Sequence, residues 1–113
     1  MVKTEIEWKY PEAIVTCEWL KENLADKKVR IYDCTTFLHY TDEHPSKPYD
    51  VESGYKDYLE KHIPGASFLD LQNQISNTES QFKFTLPDVE SLSSSFGKLG
   101  IGNPHHIILY STN

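Results

Sequence analysis

Apolar positions along the chain form short periodic stretches and short runs, separated by polar turns. Cys17, Leu20 and Leu24 recur at helical spacing behind Thr16, whose side chain can cap a helix, and Glu18 suits the positive end of that helix. The charged turn Asp26-Lys27-Lys28 should end it. Val29, Ile31 and Tyr32 predict a short strand, with Arg30 and Asp33 leaving it not wholly apolar. Residues 39–50 hold Pro45, Pro48 and several charges, and read as a solvated loop. Asp50 is the expected cap of a second helix, with Val51, Tyr55, Tyr58 and Leu59 along one face. Pro64 lacks a backbone donor and pushes Ile63 out of helical geometry, so this helix should stop near His62. Gly65 permits a tight turn there. Ser67-Phe68-Leu69 predicts a strand and residues 71–85 a polar loop. Asp88 should cap a third helix, with Leu92, Phe96 and Leu99 on its buried face and Gly100 just past its end. Ile107 to Tyr110 is a continuous apolar run of the kind buried on both faces of a parallel sheet. The alternation of strand and helix predicts an α/β fold, a mostly parallel sheet flanked by helices.

Composition narrows the function classes. The 113 residues suffice for one small domain, and 38% hydrophobic content supports a packed core. A net charge of −6 argues against nucleic acid, whose phosphates reward basic patches, and against an anionic membrane surface. No apolar run approaches a membrane span. Residues 1–12 are polar, end near Pro11, and read as an irregular arm ahead of a domain over 13–113. The arm has neither a secretory apolar block nor an arginine-rich character, so the expected compartment is the cytosol, with a mitochondrial location left open. Cys17 and Cys34 are too far apart for a redox pair or a zinc knuckle, and both are expected as reduced thiols, at least one of them buried.

Around the Pro64 turn the chain reads Lys56-Asp57-Tyr58-Leu59-Glu60-Lys61-His62-Ile63-Pro64-Gly65-Ala66-Ser67-Phe68-Leu69-Asp70. This stretch resembles the signature of the rhodanese superfamily, most of all the first domain of the tandem thiosulfate and 3-mercaptopyruvate sulfurtransferases. Other segments fit in order. Val15-Thr16-Cys17-Glu18-Trp19-Leu20 resembles the family's opening strand and helix start. Val29-Arg30-Ile31-Tyr32-Asp33 resembles its next strand with the terminal Asp. Leu86-Pro87, Phe96-Gly97-Lys98-Leu99-Gly100-Ile101 and Ile107-Ile108-Leu109-Tyr110 resemble its third helix and following strand. The resemblance covers residues 13–113.

The resemblance implies a rhodanese-like sheet and transfer of a sulfane sulfur, from thiosulfate or 3-mercaptopyruvate, to a thiophilic acceptor such as cyanide. Such chemistry needs a stabilised thiolate. In catalytic members the cysteine immediately follows the strand matching Ile107–Tyr110; here that position is Ser111, followed only by Thr112 and Asn113. A serine there fits the inactive first domain of a tandem enzyme. Mercaptopyruvate-type members also place an acid and a histidine from that domain near the active cysteine. By alignment these fall on Gln72 and Phe84, and neither can take or give a proton. The family's next strand would lie between the opening strand and Ile107–Tyr110. Its absence predicts a truncated fold, incomplete at the C-terminus. The expected partner is a second rhodanese-like domain, or another chain, that completes the sheet. A small sulfur-containing substrate is expected only in the intact enzyme. No metal or organic cofactor is implied.

The other candidate residues are weighed on their own chemistry. Cys34 follows a strand at a sheet edge where α/β proteins bind ligands, but no glycine-rich loop or helix start stands near it to lower its pKa. A structural role is preferred to a reactive thiol. Asp33, His62, Pro64 and Gly65 are read as a structural motif, with His62 holding the turn by a hydrogen bond. His39 and His44, with Asp42 and Glu43, could ligate a metal but fit a solvated loop better. His105-His106 reads as a polar start to the last strand. Two rival functions stand beside the enzyme reading: an inactive rhodanese-like module that docks a partner, and a thiol enzyme or redox sensor built on Cys34.

Overall fold

The computed structural model describes residues 9–40, 49–80, 82 and 84–113. Of the arm expected over 1–12, residues 1–8 lie outside the described residues; the rest leads into a 3-10 turn at Pro11–Ala13. Helix α1 (Cys17–Asn23) starts as expected, with the Thr16 side chain accepting the Trp19 N–H at 3.1 Å. Its packed side differs from the expected one. Trp19 and Leu20 meet the core, whereas Cys17 is exposed and Leu24 is 36% exposed. Trp19 also meets the His106 ring edge-on at 5.2 Å.

Strand β1 (Val29–Asp33) is the centre of a parallel three-stranded sheet. On one side it pairs with β4 (Ser67–Phe68), on the other with β5 (His106–Tyr110), giving the order β4-β1-β5. Ile31, Ala66 and Ile108 form the buried cluster, with Val15, Val29, Ile63 and Tyr110 packed around it. Alternation turns Tyr32 to the other face. There its hydroxyl donates to the Leu99 carbonyl at 2.7 Å and ties β1 to the end of α4 (Val89–Lys98). Helices therefore cover both faces, as an α/β sheet requires.

Helix α4 is capped as its sequence predicts. The Asp88 side chain accepts the Ser91 N–H at 3.0 Å. At the other end Gly100 has φ +82°, the Gly100 N–H reaches the Gly97 carbonyl, and the Ile101 N–H reaches the Phe96 carbonyl. This double bond pattern satisfies the orphan carbonyls of the last turn. Leu92, Phe96 and Leu99 are only half-buried.

Other expectations are corrected. The loop expected over residues 39–50 is in part an antiparallel hairpin, β2 (Thr36–Tyr40) against β3 (Tyr49–Ser53), while residues 41–48 lie outside the described residues. Prolines and charges point to a loop, but the flanking aromatic and branched residues pair across strands; Tyr40 and Tyr49 meet edge-on at 5.7 Å. Asp50 consequently sits in β3 opposite His39, not at a helix cap. Helix α2 (Tyr55–Glu60) starts behind Gly54 without a side-chain cap, and Leu59 on it is 61% exposed. Within the loop expected over 71–85, Asp70 caps a single helical turn, α3 (Leu71–Gln74).

A further correction concerns the sheet edge. No strand forms around Val15, although Ile14 is extended (φ −117°, ψ 132°). A strand needs a hydrogen-bonding neighbour, and none lies alongside among the described residues. A slot of about 380 Å³ separates residues 12–15 from His106–Leu109. Nor is β5 buried on both faces as expected: Ile108 is buried, but Leu109 is 54% exposed.

Candidate functional site

The C-terminal ends of parallel strands are where α/β sheets place ligands. Here β1 ends at Asp33 and β5 at Tyr110, directly paired in register. Asp33 is 2% exposed, and its Oδ1 accepts from the Thr35 N–H at 2.9 Å and the Thr35 hydroxyl at 2.6 Å. A carboxylate this deep needs such donors to offset its lost hydration. The Thr35 hydroxyl in turn accepts the Thr112 N–H at 3.0 Å. The polypeptide leaving β5 is thus hung from the end of β1.

The turn that carries the family signature docks on the same strand end. Ala66 N–H reaches the Ile63 carbonyl at 2.9 Å, closing a four-residue turn with Pro64 second and Gly65 third. Gly65 has φ +81°, a region open to glycine and costly for other residues. His62 stacks on Tyr58 with ring centroids 4.0 Å apart. Its Nδ1 lies 2.6 Å from the Tyr58 carbonyl. A carbonyl only accepts, so Nδ1 carries the proton. The Tyr58 hydroxyl donates to the Ala66 carbonyl at 2.7 Å, and the Ile63 N–H donates to the Tyr110 hydroxyl at 3.2 Å. Burial raises the Tyr110 pKa. The Ile63 bond opposes that rise, and the Asp33 carboxylate adds to it. Asp33, Tyr110 and the Pro64 turn therefore form one connected unit. Beside it lies an open groove of about 640 Å³, whose lining includes His62, Ile63, Pro64, Tyr110 and Thr112.

The nucleophile candidates stand apart in character. Cys34 is half-buried, with Sγ 3.3 Å from the Tyr110 carbonyl, to which it donates. Burial pushes this thiol's pKa up, and the neighbouring Asp33 charge pushes the same way, outweighing a backbone hydrogen bond. A raised pKa keeps the sulfur protonated and poorly nucleophilic. Ser111 is exposed, and its hydroxyl donates to the Asn113 side-chain carbonyl. Asn113 also donates to the Thr36 carbonyl at 2.7 Å.

Gln72 and Phe84 are brought together. Gln72 lies in α3, and its Oε1 accepts the Phe84 N–H at 3.2 Å. Phe84 has φ +58°, a left-handed conformation unusual for an aromatic residue. His39 meets Glu52 at 3.2 Å on the exposed hairpin, whereas His44, Asp42 and Glu43 lie outside the described residues. Among the described residues no cluster of three or more His, Cys, Asp or Glu side chains is arranged to hold a metal. Nor is any helix there long and apolar enough to cross a membrane. Sequence reasoning missed Thr35, the Tyr110 hydroxyl and Thr112. Thr35 and Thr112 stand 77 positions apart, and nothing in the local sequence announces their contact.

Known proteins place this arrangement. No family model matches the chain. The thiosulfate sulfurtransferase of Bos taurus is 31% identical over 102 residues, covering 87% of this chain and 31% of that protein. Thiosulfate/3-mercaptopyruvate sulfurtransferase 2 of Arabidopsis thaliana is 29% identical over 99 residues, covering 88% of this chain and 26% of that protein. The 3-mercaptopyruvate sulfurtransferase of Homo sapiens is 29% identical over 105 residues, covering 89% and 32%. The chain thus spans about a third or less of these relatives' lengths. With most of its length aligned to sulfurtransferases, and a parallel sheet carrying the signature turn against the ends of β1 and β5, the chain belongs to the rhodanese superfamily, as a homologue of the thiosulfate/3-mercaptopyruvate sulfurtransferases.

Proposed function

We propose that this chain is the non-catalytic N-terminal part of a sulfurtransferase that moves sulfane sulfur from thiosulfate or 3-mercaptopyruvate to a thiophilic acceptor such as cyanide. The observation that carries the reading is Ser111 at the exit of β5, where catalytic members of the family have their cysteine. Serine cannot accept the sulfane sulfur as a persulfide. Cys34 is no substitute, because its proton is held by burial and by Asp33. The domain assignment follows: an arm over 1–12 and a rhodanese-like domain over 13–113. Asp33, His62, Pro64 and Gly65 then act as the frame that shapes the strand ends rather than as reacting groups.

The edge of β5 that no strand pairs among the described residues favours a second reading, an inactive rhodanese-like module that completes its sheet with a partner. The strand has five residues with no Lys, Arg, Asp, Glu or proline to guard the edge, and it faces the slot beside residues 12–15. In the enzyme reading that strand comes with a second rhodanese-like domain; in the module reading it comes from another chain.

Thiosulfate, cyanide and purified protein separate the readings. The sulfane sulfur leaves thiosulfate as thiocyanate, and sulfite remains. The chain alone should give no thiocyanate above the blank. The polypeptide read from the longest transcript of its locus should give it if the enzyme reading holds. Thiocyanate from the chain alone, abolished in Cys34→Ser, would overturn the non-catalytic assignment. An inactive longest polypeptide would leave the module.

A further inference from the structure

Three parts of the chain meet at one buried residue. Thr35 is 1% exposed. Its single hydroxyl proton goes to Asp33, a carboxylate that cannot donate in return. The oxygen's lone pairs then face the Thr112 N–H at 3.0 Å and the Thr112 hydroxyl at 3.3 Å. The Thr35 carbonyl accepts the Gly54 N–H at 2.8 Å, just where the chain leaves β3. A Cβ on Gly54 would come within 2.8 Å of both Thr35 Cβ and Cγ2. Thr35 is therefore clamped by the base of the hairpin on one side. On the other it holds the segment that leaves β5. The Asn113 side chain adds a second tie, to the Thr36 carbonyl at the start of β2.

We propose that Thr35 couples the β2–β3 hairpin to the segment that leaves β5 at Ser111, so that whatever orders or displaces one changes the other. The clamp has no slack: a shift at Gly54 moves Thr35, and its hydroxyl can then no longer face Asp33 and Thr112 together. Coupling of this kind is reciprocal, so a partner that fixes either end stiffens the other. The inference goes beyond the sulfurtransferase reading and does not depend on it. It gives the exposed hairpin a physical route to the strand exit.

Amide exchange on the full chain tests it, with Thr112 and the hairpin amides as readouts. Gly54→Ala pushes on Thr35; Tyr49→Ala, which removes the Tyr40 ring contact, is the milder perturbation should Gly54→Ala fail to fold. Either should speed Thr112 exchange about fivefold or more. The hairpin substitution should give the same increase in a Thr35→Ser background, which keeps the hydroxyl. In Thr35→Val, Thr112 should already exchange fast, and the hairpin substitution should add nothing. Faster hairpin exchange with Thr112 unmoved would overturn the proposal. So would an equal, additive effect in the Thr35→Val background.

Discussion

The side-chain carbonyl of Gln72 accepts the backbone N–H of Phe84 at 3.2 Å, across a loop of polar residues. Family resemblance sets an acid and a histidine at these two positions. In this chain they are neighbours, but their chemistry has become structural. The bond holds Phe84 in its left-handed conformation, which costs about 1–2 kcal/mol for a residue with a Cβ. Gln72→Leu should therefore destabilise the chain by about 1 kcal/mol, whereas Gln72→Glu, which keeps an acceptor, should stay near the parent. Urea midpoints measure both. Equal midpoints for Gln72→Leu and the parent would show that the loop holds itself by other contacts.

Gly65 separates two reasons for a glycine. A Cβ there would meet nothing within 4 Å, so space is not the constraint. The constraint is φ +81°. Gly65→Ala should cost about 1 kcal/mol and Gly65→Val about 1–3 kcal/mol, because β-branching narrows the backbone further. Thermal melting orders the three proteins; a valine variant as stable as the parent would remove the backbone argument.

The protons of Cys34, Tyr32 and Tyr110 are all held more tightly in the folded chain, burial being the first cause in each case. Raised groups give their full stabilisation below their unfolded pKa values and lose it as pH climbs through the folded ones. Stability should thus be steady from neutral pH to about 8.5 and fall above it. Denaturant midpoints at neutral and alkaline pH test this, and Cys34→Ala should soften the fall. At pH 8 an alkylating reagent should label exposed Cys17 well before Cys34; the reverse order would contradict the tethered thiol.

In β5 the two sets of amides should behave differently. His106 N–H reaches the Lys28 carbonyl and the Tyr110 carbonyl accepts the Cys34 N–H, so His106, Ile108 and Tyr110 face β1. By alternation Ile107 and Leu109 face the edge that no described strand pairs. Amide exchange should protect Ile108 and Tyr110, and leave Ile107 and Leu109 fast in dilute monomer. Their protection should rise with self-association seen by sedimentation. A monodisperse monomer with all four amides protected like those of β1 would mean that the edge is closed by residues outside those described.

Local chemistry made much of this fold legible in the sequence. Thr16, Asp88 and Gly100 mark helix ends because capping depends on the few residues around each end, and the structure uses all three in that way. Pro64 and Gly65 mark the turn because their backbone limits are intrinsic. Val29–Asp33 and Ile107–Tyr110 read as strands because a parallel sheet needs apolar runs. Other features were decided only by tertiary contact. The hairpin β2–β3 depends on each strand finding the other, and two prolines and several charges masked it in one dimension. Whether Val15 lies in a strand depends on a neighbour beside β5, and whether Leu109 is buried depends on what packs over its face of the sheet, not on either residue. The unit of Asp33, Thr35, Tyr110 and Thr112 exists because β1 and β5 pair in register, which brings residues 77 positions apart within 3.0 Å. A hydroxyl's partner is set by where strands end in space, and the sequence around Thr35 holds no trace of it.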